Sequence, residues 1–122
     1  MRKVRTAVDR VVGGSVRRPD GPEMVVRGAI LSIHVDGVLV VVVDSSVVPR
    51  NNVFGYSAVS GEQLWQIAPF PGAPSDQGEY VDMFEIEGKA GLVYVYDPAG
   101  VMVGVDPRTG AIRDRNLDKG WD

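Results

Sequence analysis

Short runs rich in valine, isoleucine, tyrosine and phenylalanine recur along the chain, broken by clusters of glycine, proline, aspartate and asparagine, and no window keeps apolar residues at helical spacing for three turns. A chain patterned this way folds into β-sheet. The spacing predicts strands at about 3–12, 25–35, 38–43, 53–58, 63–68, 80–86, 92–96, 101–105 and 111–116, with turns at Pro19-Asp20-Gly21, Asp36-Gly37, Ser60-Gly61, Glu87-Gly88-Lys89, Pro98-Ala99-Gly100 and Pro107-Arg108-Thr109-Gly110. With 122 residues the expectation is one domain, large enough to bury a self-supporting core.

Asp36-Gly37 between two strand-like runs reads as a two-residue hairpin turn, because both positions need positive φ. Val38 to Val43 is apolar on both faces, so it belongs at the centre of a sheet covered on either side. Leu92, Tyr94 and Tyr96 alternate with Val93 and Val95, and the tyrosine face is expected to reach a surface with its hydroxyls wet. Pro69 to Gly78, with three prolines in six residues, reads as a connector between two similar halves.

The two halves share a pattern. An apolar strand ends in Asp44 or Asp97, a loop follows, and then a strand and turn run Gly55-Tyr56-Ser57-Ala58-Val59-Ser60-Gly61 and Gly104-Val105-Asp106-Pro107-Arg108-Thr109-Gly110. Gly61 and Gly110 stand 49 residues apart, and Asp44 and Asp97 stand 53 apart, the first half carrying the longer loop. A period of this size with four strands per unit is that of a propeller blade. An Asp or Ser opening each turn can accept from its amides, and the later glycine supplies the left-handed residue.

At these residues the chain resembles the quinoprotein (PQQ)-like β-propeller repeat, whose blade signature is Ala-x-Asp-x-x-x-Gly-x-x-x-Trp. The first copy keeps Gly61 and Trp65, with Gly55 for the Ala and Ser57 for the Asp; the second keeps Asp106 and Gly110, with Gly104 for the Ala and Asp114 for the Trp. The resemblance covers residues 28 to 117, about two degenerate blades. It implies an all-β fold of two four-stranded antiparallel blade-like sheets, forming a partial propeller or a compact two-sheet sandwich, with an N-terminal strand added. The divisions are 1–27 for that strand and turn, 28–68 for the first unit, 69–79 for the linker and 80–117 for the second unit. Trp65 would then be a wedge between units, with Gly61, Gly110 and Asp106 in structural roles. Because a cut-off propeller leaves edges exposed, either copies of the chain assemble or the two sheets fold together.

Little catalytic apparatus is legible. The chain has no cysteine and a single histidine, His34, which excludes thiolate chemistry, a disulfide framework and a multi-histidine metal site within one chain. Ser45-Ser46 lacks a nucleophile elbow, Gly13-Gly14 lacks phosphate-loop spacing, and the loops after Asp97 and Asp106 lack the alternating oxygen ligands of a calcium site. The reading is of a non-enzymatic protein with no cofactor and no metal. The resemblance does not bring the quinone chemistry of complete propellers with it. The N-terminal residues have no following apolar stretch of signal-peptide type, and the apolar run from Val38 to Val43 is far shorter than the roughly 20 residues of a membrane span, so a soluble cytoplasmic location is expected.

Charge is distributed unevenly. Residues 1–27 carry a net +4 and residues 28–122 a net −7, the acidic groups concentrating at Glu79, Asp82, Glu85 and Glu87. Strand alternation carried through residue 79 puts Glu79, Val81, Met83, Glu85 and Glu87 on one face and Tyr80, Asp82, Phe84 and Ile86 on the other. An overall charge of −3 and a basic stretch without interleaved aromatics argue against nucleic acid. The expected function is binding of a protein partner through this acidic surface. The resemblance points to immunity-type proteins of bacterial toxin–antitoxin-like sets, where the partner is a cationic toxin. The alternative is a self-assembling propeller fragment that binds a small ligand in an oligomeric channel faced by the strand at 80–86.

Overall fold

The computed structural model describes residues 2–69 and 78–117, and those residues form no helix. Most of the linker, Phe70 and the segment 118–122 lie outside the described residues. In chain order the strands are β1 (Lys3–Val4), β2 (Val8–Arg10), β3 (Ser15–Val16), β4 (Met24–Val25), β5 (Ala29–Val35), β6 (Val38–Val43), β7 (Val53–Ser57), β8 (Gln63–Gln66), β9 (Asp82–Ile86), β10 (Val93–Asp97), β11 (Val101–Val105) and β12 (Ile112–Leu117). They pair antiparallel in three sheets with orders β2-β5-β6-β7-β8, β1-β9-β10-β11-β12 and β3-β4.

Each unit therefore supplies four consecutive hairpin-linked strands, but the sheets are not four-stranded and no closed propeller forms. The strand expected at 3–12 is not one strand but two. Its chain turns after β1, with the Val8 amide donating to the Arg5 carbonyl at 3.0 Å, so that β1 lies on the first strand of the second unit and β2 on that of the first. The physical reason is the unpaired N–H and C=O groups along the inner edges of β5 and β9, which a short crossing segment can satisfy in both sheets. The long strand expected at 25–35 is likewise divided at Gly28, and its first part pairs with β3 in the small hairpin.

The core lies between the two five-stranded sheets. Val38, Val40 and Val42 of β6 meet Val93, Val95 and Val103 across it, together with Trp65, Ile67, Tyr80 and Met83. The other face of β6 is also buried: Leu39, Val41 and Val43 pack under Val16 and Val26 from the β3–β4 region. This double cover explains why that strand is apolar at every position. Asp36 and Gly37 have φ of 51° and 77°, as a tight turn of this hand requires.

The duplication extends to individual hydrogen bonds. In the turn at 57–61 the Gly61 amide donates to the Ser57 carbonyl at 2.8 Å and the Ser57 amide to the Glu62 carbonyl at 2.8 Å; at 106–110 the Gly110 amide donates to the Asp106 carbonyl at 2.8 Å and the Asp106 amide to the Ala111 carbonyl at 2.9 Å. Ser57 Oγ accepts from the Val59 amide, and Asp106 Oδ1 from the Arg108 amide. The strands before these turns carry matching register shifts at Gly55/Tyr56 and Gly104/Val105.

Candidate functional site

Two groups of residues from the sequence analysis can be placed: those that join the units, and the acidic strand. Trp65 on β8 is 8% exposed, and its Nε1 donates to the Pro107 carbonyl at 2.8 Å. Its ring lies between two glycines. A Cβ at Gly55 would stand 2.2 Å from the ring, and one at Gly110, where φ is +77°, would stand 2.6 Å away, so neither position accommodates a side chain. In the second unit the matching position is Asp114, and the phenol of Tyr94 lies over Gly104 instead, donating to Asp114 Oδ2 at 2.5 Å. Tyr94 is thus buried rather than wet, and burial together with this bond pushes its ionisation well above the usual phenol range.

Sequence reasoning missed the roles of three residues, of which Asn52 joins the units. Asn52 is fully buried, and its side chain accepts from the Tyr80 amide at 2.8 Å while donating to the Tyr80 carbonyl at 2.7 Å and to the Val43 carbonyl. Asp97, also buried, accepts from the amides of Gly78, Glu79 and Ala99. Arg18 donates to the Val59 carbonyl at 2.9 Å beside Gly61, a place on the first turn similar to that of Trp65 on the second. Arg18 follows Gly14 by four positions as Trp65 follows Gly61, which is the signal that could have found it. Asn52 has no such signal, because it acts on a backbone distant in sequence. Asp97 is marked by its match to Asp44, each accepting from the amide two residues on, but its bonds to Gly78 and Glu79 have no counterpart in the pattern.

The carboxylates on and around β9 do not share one face. Tyr80 and Met83 both enter the inter-sheet core, because residues 78–80 are held by Asp97 and Asn52 rather than by a ladder, the Val81 amide is the first to donate to β10, at the Tyr96 carbonyl, and the alternation begins only at Asp82. From there Asp82, Phe84 and Ile86 share the outer face and Met83 and Glu85 the inner one. Glu79 and Glu87 flank the strand and are exposed.

Strand β1 lies along this acidic strand, with Lys3 opposite Ile86 and Val4 opposite Glu85. The Arg5 guanidinium reaches both Asp82 oxygens, at 2.6 and 3.4 Å, and the bond raises its already high pKa. Arg2 Nη1 stands 3.7 Å from Glu87, and the Glu87 amide donates to the Arg2 carbonyl at 3.0 Å. Lys3 Nζ sits 4.9 Å from the centre of the Phe84 ring and 5.6 Å from that of Tyr96, and the Arg5 guanidinium is 5.1 Å from Phe84. Phe84 in turn stacks on Tyr94, with 6.3 Å between ring centres. Both ion pairs are largely exposed to water, so each contributes about 0–1 kcal/mol. Among the described residues Glu79 and Glu85 have no ion-pair partner.

Where the chain crosses from β1 to β2, Arg5, Val8, Arg10, Leu31, Asp82 and Met83 line a groove of about 400 Å³. His34 is exposed on β5, and among the described residues no three histidine or carboxylate side chains converge as a metal site would need. Nor is there, among those residues, a helix long and apolar enough to cross a membrane. Compared with family models, curated proteins and solved structures, the chain matches none.

Proposed function

We propose that this is a non-enzymatic protein-binding domain, built from two degenerate quinoprotein-like blades, that engages a basic partner through the carboxylates of β9 and its flanks. The partner's class is that of a cationic protein such as a toxin held by an immunity protein. The observation that supports the reading is the basic segment of residues 2–5 already lying on β9, with Arg5 on Asp82 and Arg2 beside Glu87. Glu79 and Glu85 add negative charge that the chain does not pair with a cation among the described residues. Such a field steers a cationic partner and weakens with salt.

The test compares lysine- and arginine-rich peptides with acidic peptides of equal length, at low and high ionic strength. Only the basic set should bind, salt should weaken it, and Glu79→Gln with Glu85→Gln should weaken it further. Equal retention of both sets, or indifference to the two substitutions, would count against the reading.

The second reading, a self-assembling fragment with a small-ligand site, has the crossover groove beside Asp82 in its favour. The inner edges that would drive assembly are partly paired by β1 and β2 of the same chain. Light scattering separates the two: a particle several times the monomer mass supports assembly, and a monomer removes it.

A further inference from the structure

Strand β9 has five residues, and β1 pairs with only two of them. The chain then turns away at Thr6-Ala7 to form β2, so along Asp82, Met83 and Phe84 the β1 ladder does not continue, and the Met83 amide donates instead to Asp82 Oδ1 at 2.8 Å, a bond that a paired strand would replace. An exposed strand edge is read by another strand through its backbone, and the side chains at alternate positions set the specificity. Here those alternate positions are on display: Lys3 over two aromatic rings, and Arg5 over Phe84 and on Asp82. Ammonium and guanidinium groups are attracted to ring faces, so this surface is selective for cations for two independent reasons. A strand that continued straight past the position of Arg5 would run beside the rest of β9 and towards exposed Val81 and Glu79.

We infer that Arg2–Arg5 is the chain's own stand-in for its partner, and that the partner presents an extended strand with basic residues at alternate positions, which binds by displacing β1 from β9. The inference rests on the acidic docking role proposed above and adds to it the partner's conformation and the resident competitor. The longer strand wins because it completes a ladder that β1 leaves unfinished. The binding-competent form is the fraction in which β1 has detached, so the resident strand lowers the apparent affinity by that fraction.

The test uses the full chain and a labelled, amidated peptide, Arg-Lys-Val-Arg-Val-Lys-Val. Because the chain has no cysteine, Lys3→Cys with Ile86→Cys introduces a single cross-link between directly opposed residues, whose separation in an antiparallel pair suits a disulfide, and leaves every carboxylate of the docking surface in place. The reduced double variant should bind the peptide. Its oxidised form should bind at least about tenfold more weakly and recover on reduction, while Arg5→Ala, which loosens β1, should bind more tightly than the native chain. Equal binding by the oxidised and reduced forms, or no gain in Arg5→Ala, overturns displacement while leaving the acidic docking surface standing. Absence of binding by every form, Arg5→Ala included, overturns the docking surface itself.

Discussion

Removing the indole of Trp65 takes away two things together, a filled space between glycines and the donor to the Pro107 carbonyl. Trp65→Ala should destabilise the fold by about 3–5 kcal/mol in denaturant titration, in the range of large buried aromatics. Gly110→Ala should be destabilising for a separate reason. The left-handed conformation alone disfavours alanine by roughly 1–2 kcal/mol, and the added carbon would meet the same ring. If either variant unfolds at the native midpoint, the joint between the units does not depend on that ring. At Asp106 the amide of Arg108, and then Arg108 and Arg113 as charges, hold the carboxyl below the ordinary aspartate range. A depressed native pKa means that the unfolded chain takes up its proton first, so stability falls as pH drops below about 3.8 and through the native value. Asp106→Asn keeps an acceptor for the turn but should show a shallower acid limb. At the alkaline end the sign reverses. Tyr80 is pushed up to about 12 by burial and by Asp97. Stability should therefore decline above pH 10, with phenolate absorbance appearing together with unfolding.

Among the elements, the hairpin at Asp36-Gly37 and the doubly buried β6 were legible because their signals are local: a pair of residues suited to positive φ, and an uninterrupted apolar run. The division of the N-terminal segment was not, since the partners of Lys3 and of Val8 lie 83 and 25 residues away and belong to different sheets. The four acidic residues could be read as a concentration of charge, but not their arrangement. Their alternation starts where the ladder starts, and Asn52 and Asp97 decide that point through side-chain bonds to backbone. Asn52→Ala would leave the Tyr80 amide and carbonyl without this partner, at about 1–3 kcal/mol for each buried group left unsatisfied. Its signature should be faster hydrogen exchange at Tyr80 and at the start of β9, ahead of global unfolding. Unchanged exchange there would mean that the amide bridge is not what sets the beginning of the strand.

At the scale of the whole molecule, the repeat was visible in sequence as two turns 49 residues apart, and their hydrogen bonds coincide closely in the structure. The way the repeats finish one another was not visible. An arm from the first half lies in the sheet of the second, the indole of the first docks on a turn of the second, and one asparagine clamps the second half's backbone. Covalent continuity between the halves is thus backed by a separate set of attachments. A chain nicked anywhere within residues 70–77 should remain a single species on a sizing column, and the two fragments, separated in denaturant and mixed, should complement one another back to the parent spectrum. A molecule interleaved in this way is also disposed to trade arms with a neighbour at high concentration, and two chains joined so would each carry a complete copy of the contacts found in one.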